Sequence, residues 1–366
     1  MLLPFWAWFN KLSAITKILV ENKNDDQIKF TWPLIKNYLA ECRCIFSGRG
    51  IEISPKCLPM DAIPTFTQAQ RRIFMTATLA DDSILVSDYG VSEDLAKKHI
   101  TPTIANDIGD RMILIPQEID PEVTEDEIKD YLKQKSKSHN TVVIVPSDYR
   151  AKYWQDAADL IVKADNISEA VSSLKSRHVG LVVLINKYDG VDLPGSACRI
   201  LVLDGLPQAR RLQEKIDMNI LAGGEQMIGK QIQRIEQGMG RGIRANDDYC
   251  VVLLIGASLT RTIFLMEAKN KFSPATAAQL NMSAKVADQL DGGISGLDEA
   301  VELCLNQTQE WKSLSRESLA NISYPPEGKI RPIAVAQRKA FDSATIGDYT
   351  KAQSEVQNVI NSETKN

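Results

Sequence analysis

"GLVVLINKYDGVDLPG", residues 180–195, decides how the rest of the chain is read. It begins with an unbroken apolar run, Leu181 to Ile185, of the Val/Ile/Leu-rich kind that suits a strand buried on both faces of a parallel sheet. It then breaks at once into Asp189, Gly190, Asp192, Pro194 and Gly195. In open α/β sheets, ligands bind outside the carboxyl ends of strands, where such a loop lies. Two carboxylates there can receive hydroxyls or pair with cations. The plainer alternative is an acidic turn whose Gly and Pro set the backbone.

Similar runs lie to either side: "RMILIPQ" (111–117), "TVVIVPS" (141–147), "RILVLDG" (199–205) and "YCVVLLIG" (249–256). Helical patterns separate them, a charged one from Thr124 to Lys137 and one bearing Tyr153, Trp154, Ala157, Ala158 and Ile161. This alternation predicts a doubly wound α/β domain. Further upstream, "IEISPKCLP" and "RRIFMTATL" are expected strands. From about Phe272 the pattern is helical, ending in a helical pair that turns at Gly347-Asp348.

The composition is that of globular material: 44% hydrophobic and 25% charged residues, with a net charge of −4. Any grip on nucleic acid must therefore be local, because the molecule as a whole does not attract phosphate. The six cysteines (Cys42, Cys44, Cys57, Cys198, Cys250, Cys304) are spread in a way that suits buried thiols in a reducing cytosol. Cys42-x-Cys44 lacks a second close pair and a nearby histidine, so no metal site is expected. At the amino end, Phe5, Trp8, Phe9, Leu12, Ile15 and Leu19 recur at helical spacing, and Asn10 and Lys11 interrupt the apolar run. That predicts an amphipathic helix packed on protein, no membrane span, and a cytoplasmic location.

"QGMGRGIR", Gln237 to Arg244, carries the chemistry. Continued as helix, it places Gln237, Gly240, Arg241 and Arg244 on one face, with Ile232, Ile235, Met239 and Ile243 on another. Gly238, Gly240 and Gly242 each cost about 1 kcal/mol in a helix interior, so close approach of another backbone or a ligand is expected to offset them. Arginine suits a phosphate: it is always charged, planar, and can donate two hydrogen bonds to one group.

Taken in order, these stretches resemble the second half of a superfamily 2 helicase of the XPD/DinG type. "RRIFMTATL" resembles motif III, "VVIVPS" motif IV, "VVLINKYDGVDLPG" motif V, and "QGMGRGIR" motif VI, with its pattern Q-x-x-G-R-x-x-R. The resemblance implies a RecA-like sheet at 108–270, a remnant of the first RecA-like domain at 1–85, a connection at 86–107 and a helical region at 271–366. It also implies ATP with Mg²⁺ in a cleft between two such domains. Arg241 and Arg244 would face the γ-phosphate as arginine fingers, with Gln237 and Gly240 beside the nucleotide. Gly190 and Asp192 would lie near phosphates and ribose. Thr76, Thr78 and Asp189 would couple nucleotide state to the strand, although Asp189 stands where glutamate is common in the family. Ser147 and Asn186 would hold a single strand by its backbone, DNA in preference to RNA.

The other wall of such a cleft is not found in these residues. A phosphate cradle needs G-x-x-x-x-G-K-[ST], whereas Gly229-Lys230 is followed by Gln231 and Gly328-Lys329 by Ile330. No D-E-x-[HD] box occurs, and "DEIKD" (126–130) follows motif III rather than preceding it. No iron–sulfur ligand set is expected. The sequence thus reads as the carboxyl-terminal part of an ATP-dependent helicase, inactive alone, whose cradle lies on a partner polypeptide or in a longer parent chain. The alternative is a non-catalytic scaffold or regulatory module that keeps the fold. A dinucleotide-binding Rossmann enzyme does not fit, because "GMGRG" follows a helical stretch rather than the first strand.

Overall fold

In this computed structural model, residues 1–76, 81–101, 109–209, 211–221, 223–265, 268, 270–325 and 327–363 are described. The chain divides into two compact units. One takes residues 102–208 and 223–324, and the other takes 1–101, 209–222 and 325–366.

The first unit is built on six strands: β3 (Asp110–Leu114), β4 (Thr141–Val145), β5 (Leu160–Val162), β6 (Leu181–Ile185), β7 (Ile200–Asp204) and β8 (Tyr249–Ile255). They pair in the order β3-β8-β7-β4-β6-β5, and every pairing is parallel. Each apolar run serves two cores at once, because successive side chains point to opposite faces. Val182, Leu184, Leu201 and Leu203 pack with Ile232, Ile235 and Met239 on one face. Leu181, Val183, Ile200 and Val202 pack with Ile128, Leu132, Trp154 and Val301 on the other. Helices cover both faces, so this is the doubly wound, RecA-like architecture expected from the sequence. The expected helix after Thr124 is Glu125–Lys135, closed at its start by a reciprocal Thr124–Glu127 capping box. The short edge strand β5 carries too little pattern to be seen in sequence.

The second unit holds a hairpin, β1 (Cys42–Ser47) with β2 (Gly50–Pro55), paired antiparallel from Cys42↔Pro55 to Ser47↔Gly50. Trp8, Trp32, Leu39, Cys42 and Cys44 form its small core. Two expectations are corrected here. The single amino-terminal helix is two, Phe5–Phe9 and Leu12–Glu21, parted at the polar Asn10-Lys11 pair. "RRIFMTATL" is not a strand over its described part, residues 71–76, which is irregular and exposed; Ile73 and Met75 are solvent-facing, so no sheet covers them. Thr78 lies outside the described residues. Within the expected connection 86–107, helix Glu93–Lys97 forms, just after helix Ser83–Ser87. The helical region after Phe272 is present, and its members divide between the units. Pro274–Ala287, Gly293–Leu305 and Gln309–Ala320 belong with the parallel sheet, whereas the pair Pro332–Thr345 and Tyr349–Glu363 belongs with the hairpin. That pair turns at Gly347, whose φ of 83° favours glycine. No helix among the described residues is long and apolar enough to cross a membrane. All six cysteines are free and buried.

Candidate phosphate-binding turn

The loop after β6 is fixed first. Asn186 takes a positive φ of 53°, which Asn tolerates better than most residues, and its N–H donates to the Val145 carbonyl (2.6 Å). The Tyr188 ring is buried, and its hydroxyl donates to the Gly205 carbonyl (2.8 Å) at the end of β7. Gly190 turns the chain at φ 72°, with open space where a side chain would stand. The loop then runs back, so that the Gly195 N–H donates to the Asp248 carboxylate (3.0 Å) just before β8. It begins at the carboxyl edge as expected, but its far half lies near the amino ends of β7 and β8.

Helix Glu225–Met239 ends at Gly240, followed by a tight turn, Gly240–Gly242, and extended backbone at Ile243. The expectation of one helical face from Gln237 to Arg244 is therefore corrected: Arg244 lies beyond the helix. The glycines explain why. A Cβ at Gly238 would stand 3.0 Å from the Tyr188 ring and 3.2 Å from Leu203, so glycine lets the helix settle on the sheet. A Cβ at Gly242 would meet Cys250 Sγ at 2.5 Å. Gly240 has nothing within 4 Å, and it is the one of the three that packing does not require.

Arg241 is half-buried beneath the loop. Its Nε donates to the carbonyls of Gln237 (2.9 Å) and Tyr188 (3.1 Å), and its Nη1 to that of Val191 (2.9 Å). Burial, with repulsion from Arg244, pushes its pKa below the usual arginine value. Arg244 pairs through Nε with Asp192, and its side chain remains 53% exposed. Lys175 approaches the same carboxylate (3.6 Å). Burial pushes Asp192 up, but the Arg244 hydrogen bond and charge, with Lys175, outweigh it and hold the carboxyl below its ordinary value. Gln237 is half-buried, and Asp189 is exposed at the loop tip. The structure thus brings Gln237, Gly240, Arg241, Arg244, Asp189, Gly190 and Asp192 to one loop-and-turn pair. Thr76 belongs to the other unit.

Asp248 was not legible from sequence, where "NDDY" reads as a polar turn. It is buried, and its two oxygens accept from Arg199 Nη1 (2.8 Å) and from the N–H groups of Gly195, Tyr249 (2.9 Å) and Arg244 (3.3 Å). It ties the chain just after the arginine turn, at Arg244, to the end of the loop, at Gly195.

At the carboxyl edge, Ser147 caps helix Asp148–Tyr153 by accepting from the Arg150 N–H (3.3 Å). Asn186 stands beside it across the β4–β6 pairing. Arg150 donates to Asp204 Oδ2 (2.7 Å) and to Glu125 (2.6 Å), so its charge is spent inside the fold. Among the described residues there is no group of three or more His, Cys, Asp or Glu side chains placed to hold a metal ion.

With this geometry in hand, comparison assigns the sheet. Residues 124–273 match the helicase C-terminal domain family, so a helicase C-terminal domain is present in this chain. No curated protein matches the chain.

Proposed function

We propose that this domain forms the arginine-bearing wall of an ATP cleft in an ATP-dependent nucleic-acid helicase or translocase of superfamily 2, of the XPD/DinG type. The observation that carries the reading is the glycine directly before Arg241: a Cβ at Gly240 would meet nothing within 4 Å, beside a loop that both Arg241 and Arg244 contact. The Arg244–Asp192 pair is solvent-exposed, and such pairs contribute only about 0–1 kcal/mol. A triphosphate, with more charge and a shape suited to the guanidinium fork, displaces the carboxylate at little cost. Arg241, anchored through Nε and Nη1, offers Nη2 to the same anion. Both then stabilise charge developing at the γ-phosphate. Gln237 lies alongside; Gly190 and the released Asp192 are near phosphates and ribose. Asp189, Thr76 and Thr78 couple nucleotide state to the strand. Ser147 and Asn186 hold a single strand by its backbone, DNA in preference to RNA.

The phosphate cradle and the Mg²⁺ ligands come from polypeptide outside these 366 residues, since neither motif occurs in them. ATP binding by a fluorescent analogue tests this. The chain alone gives no saturable signal, and adding a polypeptide that bears the cradle restores one that Arg244→Ala weakens. Tight binding by the chain alone contradicts it. One observation favours a second reading, a non-catalytic scaffold: the three carbonyls held by Arg241 are what a purely structural arginine would make. No ATP binding in any combination would support that alternative.

A further inference from the structure

Tyr149 is an aromatic ring that packing does not use. It lies in the first turn of helix Asp148–Tyr153 and is 85% exposed, the most of any large apolar side chain among the described residues of the sheet unit. Its aromatic neighbours on and beside that helix are engaged. Trp154 is buried and donates Nε1–H to Asp204 Oδ2 (2.6 Å). Tyr153 lies against the Arg150 guanidinium (4.2 Å) and donates its hydroxyl to Asp126 (2.7 Å).

The backbone that carries Tyr149 is held firmly. Ser147 caps the helix, and Arg150 fastens it to Asp204 and Glu125. A ring on such a support loses little freedom when a flat group stacks on it. Its place is also specific: two residues after Ser147, on the helix that follows the carboxyl end of β4, the strand that pairs with β6 up to the residue before Asn186.

Charge at this edge is balanced. Asp148 and Asp189 offset Lys152 and Lys187, and Arg150 is already paired with two carboxylates. Attraction to phosphate, the usual large term in nucleic-acid binding, is therefore weak here. A strand held at this edge needs a contribution that does not depend on charge, and base stacking on an aromatic ring supplies one that tolerates any sequence. Resting on the strand-binding edge proposed above, we propose that Tyr149 is a base-stacking platform for single-stranded nucleic acid.

Anisotropy of a fluorescein-labelled oligothymidylate, titrated with the full chain, tests this. Tyr149→Ala weakens binding by about 5- to 100-fold, whereas Tyr149→Phe, which keeps the ring, stays within about twofold of wild type. Against an abasic strand of equal length, wild type and Tyr149→Ala bind alike, because the phosphates remain and the bases are gone. Both variants keep the wild-type Tm, since the ring is exposed. Equal oligothymidylate binding by wild type and Tyr149→Ala overturns the inference and leaves the strand-binding edge standing. An equal loss on the abasic strand also overturns it, assigning Tyr149 to a backbone contact. Loss of self-association with strand binding intact overturns it as well, assigning the ring to an interface between copies. Failure of the wild-type chain to bind any strand removes the edge itself, and the inference with it.

Discussion

The two units of this chain differ in how much large apolar surface they leave outside. In the sheet unit Trp154 is fully buried and hydrogen-bonded, and five of the six strands are apolar toward both faces. In the hairpin unit Trp6 is 68% exposed, and Phe5, Phe30, Ile51, Ile73 and Met75 also face solvent. A doubly covered parallel sheet leaves no face to water, so each strand residue adds to one core or the other. A two-stranded hairpin has one small core, and much of its apolar surface stays outside. Sequence determines the first kind of region redundantly and the second kind weakly.

The largest expected effect breaks or sharpens that contrast directly. Trp154→Ala lowers unfolding free energy by about 3–5 kcal/mol, whereas Trp6→Ala changes it by about 0.5 kcal/mol or less. Paired denaturant titrations check this, and equal losses would mean that the two units are packed alike. Next, Asp248→Ala removes the acceptor shared by Gly195, Arg199, Arg244 and Tyr249. It costs about 2–3 kcal/mol and speeds hydrogen exchange at the Gly195 and Arg244 amides, with β5 unchanged. Exchange that rises uniformly would show a general loss of stability instead.

The legible parts of the molecule follow the same division. β4, β6, β7 and β8 were readable because each is a run of Val, Ile and Leu with no polar interruption. β5 has three residues and an exposed first position, so it carried no readable pattern. "RRIFMTATL" has strand-forming residues, yet strand propensity reflects packing on a pleated surface, and residues 71–76 have no such surface. In the candidate site, loop 186–195 and the two arginines were legible, because their residue types suit that chemistry. The helix end at Met239 was not, because nothing local distinguishes Gly240 from Gly238. Only the positions of Tyr188, Leu203 and Cys250 show which glycines serve packing. Asp248 was hidden for a similar reason: two of its partners, Gly195 and Arg199, come from a stretch far away in the chain.

Smaller effects test those glycines. Gly242→Ala forces a Cβ onto Cys250 and costs about 1–3 kcal/mol. Gly240→Ala leaves thermal stability within about 0.5 kcal/mol, since the position is open, but weakens nucleotide binding once a cradle is supplied. A stability loss at Gly240 as large as at Gly242 would contradict the assignment. The smallest effect is a titration. Asp192 is held below its ordinary 3.8, so its pairing contributes above that value and is lost as pH falls through the depressed folded-state pKa. Carboxyl carbon shifts should place the Asp192 midpoint below 3.8 and move it upward in Arg244→Ala, and an unmoved midpoint would mean that the pair does not persist in solution.

Strand-stimulated ATP hydrolysis tests the central claim, that Arg244 completes a triphosphate pocket begun on other polypeptide. The chain should be silent alone and active with a first RecA-like domain bearing the cradle, and Arg244→Ala should then lower the rate by about 10³-fold or more. Robust hydrolysis by the chain alone, or a reconstituted rate indifferent to Arg244→Ala, would contradict it.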